Sequence, residues 1–90
     1  MQVKVMVMSE TADSYLGKRG QVNQQLLNCM DMSPAPQERL KQPIEYSLSD
    51  EEKTAHAGKL GDKFIILGIR ELVPFGGRLR ARGKIVEVCK

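Results

Sequence analysis

Aromatic, sulfur and imidazole side chains are scarce in this sequence, and their scarcity excludes whole classes of function. The 90 residues include no tryptophan, two tyrosines, two phenylalanines, two cysteines and one histidine. The histidine, His56, is expected on a short exposed helix, a position that favours neither a metal site nor a Ser/His nucleophile. A GxxxxGK[ST] phosphate-binding loop is also missing. We therefore expect a protein that is not an enzyme and that uses no metal, cofactor or small-molecule substrate.

Long apolar segments are missing as well. No run approaches the roughly 18 consecutive apolar residues of a membrane-spanning helix. The N-terminal segment MQVKVMVMSE alternates between apolar and polar residues, whereas a signal peptide has a continuous apolar core. Cys29 and Cys89 are far apart and have no CxxC spacing, so both are predicted to be buried free thiols. These features predict a cytoplasmic protein with no membrane contact.

Residues 62–88 hold the longest apolar run and most of the net positive charge, and we predict that they form one long β-hairpin. The run at 64–69 is β-branched, aromatic or aliphatic, and it is too short for a stable helix between Gly61 and Pro74. The sequence Phe-Gly-Gly at 75–77 supplies the turn, because glycine accepts the positive φ that tight hairpins need.

The returning strand of this hairpin carries a cation at every second position. We call these residues the basic row: Arg78, Arg80, Arg82 and Lys84. In an extended strand they project from one face about 7 Å apart, close to the spacing of phosphates in an extended single strand of nucleic acid. Leu79, Ala81 and Ile85 then point to the core. The alternative is a solvated outer sheet face on which Glu71 and Glu87 partly neutralise the row.

The other segments alternate or carry clear turn and cap signals. Gly17 to Gly20 is a turn with Lys18 and Arg19 at its tip, so the hairpin around it, which we call the arm, is expected to project. Ser49 and Glu52 form a capping box, and Gly58 ends the helix. The predicted elements are strands at 1–8, 11–16, 21–32 and 44–48, a mobile proline-rich loop at 33–43, and a helix at 50–57.

Five or six strands, one late helix and glycine-rich turns predict an all-β fold. Specifically, we expect residues 1–90 to form a single domain, a small five-stranded OB-type barrel with a projecting β-hairpin arm and one short helix. Such barrels commonly bind single-stranded nucleic acid across an exposed sheet face. A core this small would gain stability from dimerisation.

Candidate contacts to nucleic acid lie on the arm and among the few aromatic residues. Charge and hydrogen bonds to a nucleic-acid backbone would come from Lys18 and Arg19 at the tip and from Gln21, Asn23, Gln24 and Gln25 behind it, although a polar tip is normal in any soluble β protein. Tyr15 and Tyr46 would either stack on bases or occupy sheet edges. Phe64 is expected in the core. Phe75, at the tip of the closing hairpin, would stack on a base or pack on a partner subunit.

Two segments give the chain a family resemblance. LGKRGQVNQQLLNCMDM resembles the DNA-binding wing, and GDKFIILGIRELVPFGGRLRARGKIVEV resembles the closing hairpin, of the single-stranded DNA-binding proteins of filamentous phages, the gene V protein type. Together they cover about half the chain in matching order. The family's wing tyrosine falls near Gly20 or Gln21 here, so Tyr15 would have to replace it. The segment around the helix is longer than in the family, which displaces Tyr46.

The resemblance implies an OB-type barrel that dimerises through the 62–88 hairpin and coats single-stranded DNA cooperatively, with little sequence preference. It implies that Lys18 and Arg19 are wing cations, that Arg80 or Arg82 contacts phosphates, and that Phe75 reaches DNA held by the neighbouring subunit. The setting would be phage or plasmid DNA replication in the cytoplasm of a bacterial host. Two alternatives remain: a protein-interaction module whose hairpin is only a dimer interface, and an RNA-binding barrel, since no residue distinguishes a 2′-hydroxyl.

Overall fold

A computed structural model describes residues 1–35, 37 and 39–89, and in them it contains five strands and one helix. The elements are β1 (Gln2–Gly17), β2 (Gly20–Asp31), β3 (Ile44–Ser47), α1 (Asp50–His56), β4 (Phe64–Phe75) and β5 (Arg78–Val88). The sheet closes into a barrel in the order β1-β2-β3-β5-β4. Strands β3 and β5 are parallel and all other neighbours are antiparallel. The predicted all-β, OB-type barrel with one short helix is confirmed.

Strand β1 serves both the barrel and the arm. The sequence predicts two strands here, at 1–8 and 11–16, but the structure has one, interrupted by a register shift between Val7 and Ser9. A bulge of this kind adds one residue and bends the strand without ending it. Ser9 and Glu10, which lie between the two predicted strands, are therefore strand residues paired with Asn28 and Leu27.

The arm comprises residues 12–24 and projects from the barrel, as predicted. In the described part of the chain, β1 pairs with β4 only over residues 2–6, and β2 pairs with β3 only over residues 26–29. Over the arm, the two strands therefore pair only with each other, and most of their side chains are exposed. Leu16, near the tip, is 85 % exposed. This extension gives the molecule a long axis of 43 Å against 29 and 21 Å for the others.

The barrel interior is filled by side chains that alternate inward along each strand. Because successive residues of a strand point to opposite faces, Ile65, Leu67 and Ile69 face inward and are buried. Phe64 consequently faces outward and is 37 % exposed, with the Lys4 ammonium 5.4 Å from its ring centroid. The prediction of Phe64 in the core is therefore wrong. The buried apolar core consists of Val3, Val5, Val7, Leu27, Cys29, Ile44, Tyr46, Leu48, Leu60, Ile65, Leu67, Ile69 and Ala81.

Helix α1 has the predicted capping box. The Glu52 N–H donates to the Ser49 hydroxyl at 3.2 Å, and the Ser49 N–H donates to the Glu52 carboxylate at 2.9 Å. The same carboxylate accepts hydrogen bonds from the Tyr46 hydroxyl at 2.6 Å and the Ile85 N–H at 2.7 Å. Glu52 therefore ties the helix to both β3 and β5. The helix ends at His56, one residue before the predicted end, and Gly58 follows with a φ of 77°.

Asp31 organises the loop that follows β2. Its carboxylate is 4 % exposed and accepts from the Ser33 N–H at 2.9 Å, the Ser33 hydroxyl, and the Leu40 N–H at 2.9 Å. Ser33 and Leu40 of the predicted loop are thus held to Asp31 at the end of β2. The predicted mobility at Pro36 and Glu38 falls outside the described residues.

Both cysteines are free, as predicted. Cys29 is buried in β2, where burial raises the pKa of its thiol to about 12, so it stays protonated and unreactive. Cys89 follows β5 and is only half-buried. The predicted burial therefore holds fully for Cys29 alone.

Candidate nucleic-acid interface

The outer faces of β2, β3 and β5 form one continuous surface that joins the base of the arm to the basic row. Across this surface Leu26 lies opposite Ser47, and Glu45 lies opposite both Asn28 and Arg80. A groove of about 150 Å³ runs over it. Its walls, which define the outer groove, are Gln24, Leu26, Glu45, Ser47, Arg80, Ala81 and Arg82.

The basic row occupies the outer face of β5, as the alternation predicts. All four of its members are exposed, whereas Ala81 is buried and Leu79 and Ile85 are half-buried on the inner face. The turn before the row is a two-residue loop, with Gly76 and Gly77 at φ values of 56° and 79°. Two positive φ values in a two-residue loop are typical of a tight hairpin, and they require glycine here. The predicted turn chemistry is therefore confirmed.

Two members of the basic row are paired with a buried carboxylate. Glu45, only 6 % exposed, lies 2.7 Å from the Arg78 guanidinium and 3.2 Å from that of Arg80. Among the described residues, no carboxylate lies within 4 Å of Arg82 or Lys84. The net positive charge that the row offers to a ligand is therefore concentrated at Arg82 and Lys84.

Glu71 and Glu87, the alternative partners considered for the basic row, are not ion-paired with it among the described residues. Glu71 is the register partner of Arg82 and Glu87 that of Ile66, but neither carboxylate forms an ion pair in the described part of the chain. Glu45 takes their place because β3 and β5 pair in parallel. That pairing joins segments over 30 residues apart, and no local sequence pattern indicates it.

Phe75 and Arg80 lie together at the end of the β4–β5 hairpin. Phe75 is 57 % exposed, and the Arg80 guanidinium carbon is 4.0 Å from the centroid of its ring, a cation–π contact. Arg80 is thus held between this ring and the Glu45 carboxylate. Phe75 presents its other side to solvent, so the predicted exposure at the hairpin tip is confirmed.

The arm adds a second aromatic residue to the surface. Tyr15 is 48 % exposed and pairs with Val22, and its hydroxyl accepts a hydrogen bond from the Gln24 side chain at 3.4 Å. Because directly opposed residues and alternate positions share a face, Tyr15, Val22 and Gln24 lie on the same face as Leu26. The Tyr15 face of the arm therefore leads into the outer groove.

Gln21 lies on the other face of the arm, opposite Leu16. The amide that accompanies Tyr15 is Gln24, and the apolar residue below it is Leu26. Gln24 was among the predicted hydrogen-bonding residues of the arm, whereas Leu26 was not predicted, although alternation from Tyr15 across the turn identifies it. Lys18 and Arg19 form the exposed tip, between Gly17 and Gly20, where the prediction placed them.

Tyr46 belongs to the core, so the prediction that it stacks on a base is wrong. It is 3 % exposed, and its hydroxyl donates to Glu52 at 2.6 Å. Burial and the Glu52 carboxylate both raise the pKa of Tyr46. Strand β3 is short and lies between two neighbours, and Ile44, Glu45 and Tyr46 are all buried in it. Tyr46 lies opposite the buried Leu27 and Ala81, so alternation places its ring on the inner face of β3, whereas Glu45 and Ser47 lie on the outer face.

Comparisons of the chain with known proteins found no matching family model, curated protein or solved structure. Within the described ranges, no group of three or more His, Cys, Asp or Glu side chains is arranged to hold a metal ion. In the same ranges, no helix has both the length and the hydropathy that crossing a membrane requires.

Proposed function

We propose that this chain is a non-catalytic, largely sequence-independent single-stranded DNA-binding protein that coats DNA cooperatively as a homodimer. The observation that carries the proposal is the outer groove, which brings the exposed face of the arm against Arg80 and Arg82. In barrels of this type, oligonucleotides bind across the second and third strands, between the β1–β2 and β4–β5 loops. Those loops here hold the Lys18-Arg19 tip and the Phe75 tip.

Each class of side chain on this surface has a role toward an extended strand. Arg82, Lys84, Lys18 and Arg19 neutralise phosphates, and the release of condensed counterions makes such binding strongly dependent on salt. Tyr15 and Phe75 stack on bases, which every base permits because every base has a π face. Phosphate contacts and stacking do not distinguish sequence, so the protein coats DNA without strong preference.

The homodimer forms through the 62–88 hairpin. Among the described residues, β1 covers β4 only as far as Ile69, so β4 from residue 70 onward has an uncovered edge. Uncovered edges present unpaired backbone groups that favour pairing with another strand. A dimer formed there brings two outer grooves into one assembly, as coating of phage or plasmid DNA during replication in a bacterial cytoplasm requires.

A charge-reversal pair tests the binding surface. Arg80→Glu with Arg82→Glu should abolish binding of an end-labelled oligo(dT), followed by fluorescence anisotropy at two salt concentrations, while sedimentation shows an unchanged oligomer. The matched control is Lys59→Glu with Lys63→Glu, which changes the charge equally in the exposed α1–β4 connection. A parent protein that binds the single strand no better than a duplex of equal length would contradict the proposal. A single-stranded RNA in the same series determines whether RNA is the preferred ligand.

An exposed apolar row favours a second candidate function, a protein-interaction module. Met6 of β1 lies between Met30 of β2 and Phe64 of β4, and these outer neighbours are 45 % and 37 % exposed. Apolar side chains grouped on an outer sheet face are typical of a contact with another protein. If oligonucleotides of every type fail to bind at low salt, this candidate replaces the first.

A further inference from the structure

A second groove lies on the outer face of β4 and β5, beyond the end of the basic row. It has a volume of about 500 Å³, which is within the range of small-ligand sites. The residues that define it, here called the Gly68 groove, are Met1, Gln2, Gly68, Arg70, Lys84 and Val86.

The floor of this groove contains a glycine, against which the Val86 side chain packs closely. Gly68 lies between Gln2 of β1 and Lys84 of β5, at a position whose side chain would point outward. A Cβ there would meet the Val86 methyl group at 3.0 Å and the Lys84 side chain at 3.8 Å. The floor is therefore formed by the Gly68 backbone and by the aliphatic side chain of Val86, which occupies the space that a side chain at position 68 would take.

The charge of the groove is positive. Arg70 and Lys84 line it, both are exposed, and in the described part of the chain no carboxylate lies within 4 Å of either. Arg70 occupies the register shift between Ile69 and Glu71, which takes it out of regular pairing with β5. A floor of glycine backbone and valine side chain beside two cations that are not ion-paired in the described part of the chain matches a nucleotide, whose base is apolar on its faces and whose phosphate is anionic.

The groove is continuous with the proposed binding surface. Lys84 is both the last member of the basic row and a wall of the groove, and Arg82 lies two residues before it on the same face of β5. A strand that follows the basic row from Arg80 therefore arrives at the Gly68 groove.

We infer that the Gly68 groove is a nucleotide subsite for the same single strand, an inference that rests on the proposed function. One base lies over Gly68 and against Val86, and the adjoining phosphates contact Arg70 and Lys84. The path of the strand then runs from the arm, through the outer groove, along β5 and into this subsite. The footprint of one subunit extends to β4 as a result.

Heteronuclear NMR titration of the full chain with oligo(dT) tests the inference directly. The amide signals of Gly68, Gly83 and Lys84 should shift together with those of Arg80 and Arg82. Shifts that stop at Arg82 would overturn the subsite and leave the proposed function standing. If no amide on either surface shifts, the subsite and the proposed function are both wrong.

A pair of substitutions that removes two positive charges gives a second, independent readout. Arg70→Gln with Lys84→Gln should reduce the slope of log affinity against log salt by about 1.4, as expected for two lost phosphate contacts on a single strand. The matched control, Lys59→Gln with Lys63→Gln, changes the net charge equally and should leave the slope near that of the parent. Equal slopes for the two pairs would show that only net charge matters, and a reduction of only about 0.7 would be that of Lys84 alone. Either result would overturn the subsite.

Discussion

At the scale of single residues, Glu45 determines how much of the basic row is available to a ligand. Its buried carboxylate lies where two arginines converge, 2.7 and 3.2 Å from their nitrogens, much as a bound phosphate would. An incoming DNA phosphate must therefore compete with Glu45 for Arg78 and Arg80. The acidic residue limits the affinity of a surface whose composition alone would indicate stronger binding.

Neutralising Glu45 should tighten DNA binding. In Glu45→Gln the two arginines lose their anionic partner, so oligo(dT) affinity should increase and its salt slope should steepen by about 0.7 for each arginine that contacts a phosphate. The free energy of unfolding should change by no more than about 1 kcal/mol, since both arginines are about half exposed. Anisotropy and urea denaturation measure the two effects.

Glu87→Gln is the control for this variant, because it changes the charge equally on the neighbouring strand β5 without breaking an ion pair among the described residues. It should increase affinity less than Glu45→Gln does. Weaker binding by Glu45→Gln than by the parent would mean that Glu45 positions the arginines for DNA and does not compete with it.

At the scale of elements, the β4–β5 hairpin depends on one close approach between its strands. A Cβ on Gly83 would lie 1.7 Å from the Gly68 carbonyl oxygen and 2.8 Å from its carbonyl carbon. Register shifts lie on both sides of this point, between Ile66 and Leu67 and between Ile69 and Glu71. Glycine in a strand between two bulges is typical of a sharp bend at a barrel corner.

Gly83→Ala should therefore prevent the hairpin from closing. Since the clash is with backbone and not with a movable side chain, we expect a loss of about 3 kcal/mol or more in the free energy of unfolding. Thermal and urea denaturation would measure it. The matched control is Gly61→Ala, which has open space around the added methyl group and should be neutral or slightly stabilising. A stable Gly83→Ala protein would show that the strands are further apart than described.

The local elements were predictable from sequence, whereas the pairing between distant elements was not. Alternation identified the inward valines of β1 and the outward basic row, and the Ser49 and Glu52 pattern identified the helix start. Phe64 was misplaced because an apolar run contains no marker of register, and a shift by one residue reverses the face. Tyr46 was misinterpreted and Glu45 was missed, because the burial of both follows from the parallel β3–β5 pair, which sequence spacing does not indicate.

At the scale of the whole molecule, two buried or half-buried carboxylates link stability to pH. Burial alone would raise the pKa of Glu52, but hydrogen bonds from Ser49, Tyr46 and Ile85 outweigh it and lower that pKa. Burial would also raise the pKa of Asp31. Hydrogen bonds from Ser33 and Leu40, together with the nearby Arg39 charge, outweigh burial and lower that pKa. Each group therefore binds its proton less tightly when the chain is folded.

Stability should consequently fall on the acid side. A carboxylate with a lowered folded pKa contributes stability above its unfolded pKa, about 4 for both residues, and that contribution is lost as pH falls through the folded pKa. The free energy of unfolding should be level from about pH 5 to 7 and decrease below pH 4. Urea denaturation across this range measures it. In Glu52→Gln the neutral-pH stability should be lower and the acid decline shallower, whereas an unchanged pH profile would exclude Glu52 as a source.

The bulge in β1 has a mechanical consequence. Because one continuous strand forms the arm and also carries the core residues Val3, Val5 and Val7, a load applied at the arm tip passes along the backbone directly into the barrel wall. The register shift at Met8 is the point where the ladder with β2 is interrupted, so bending there breaks fewer hydrogen bonds than bending elsewhere. We therefore expect a load on the arm to bend β1 at Met8 before it disturbs the barrel pairs of Val3, Val5 and Val7.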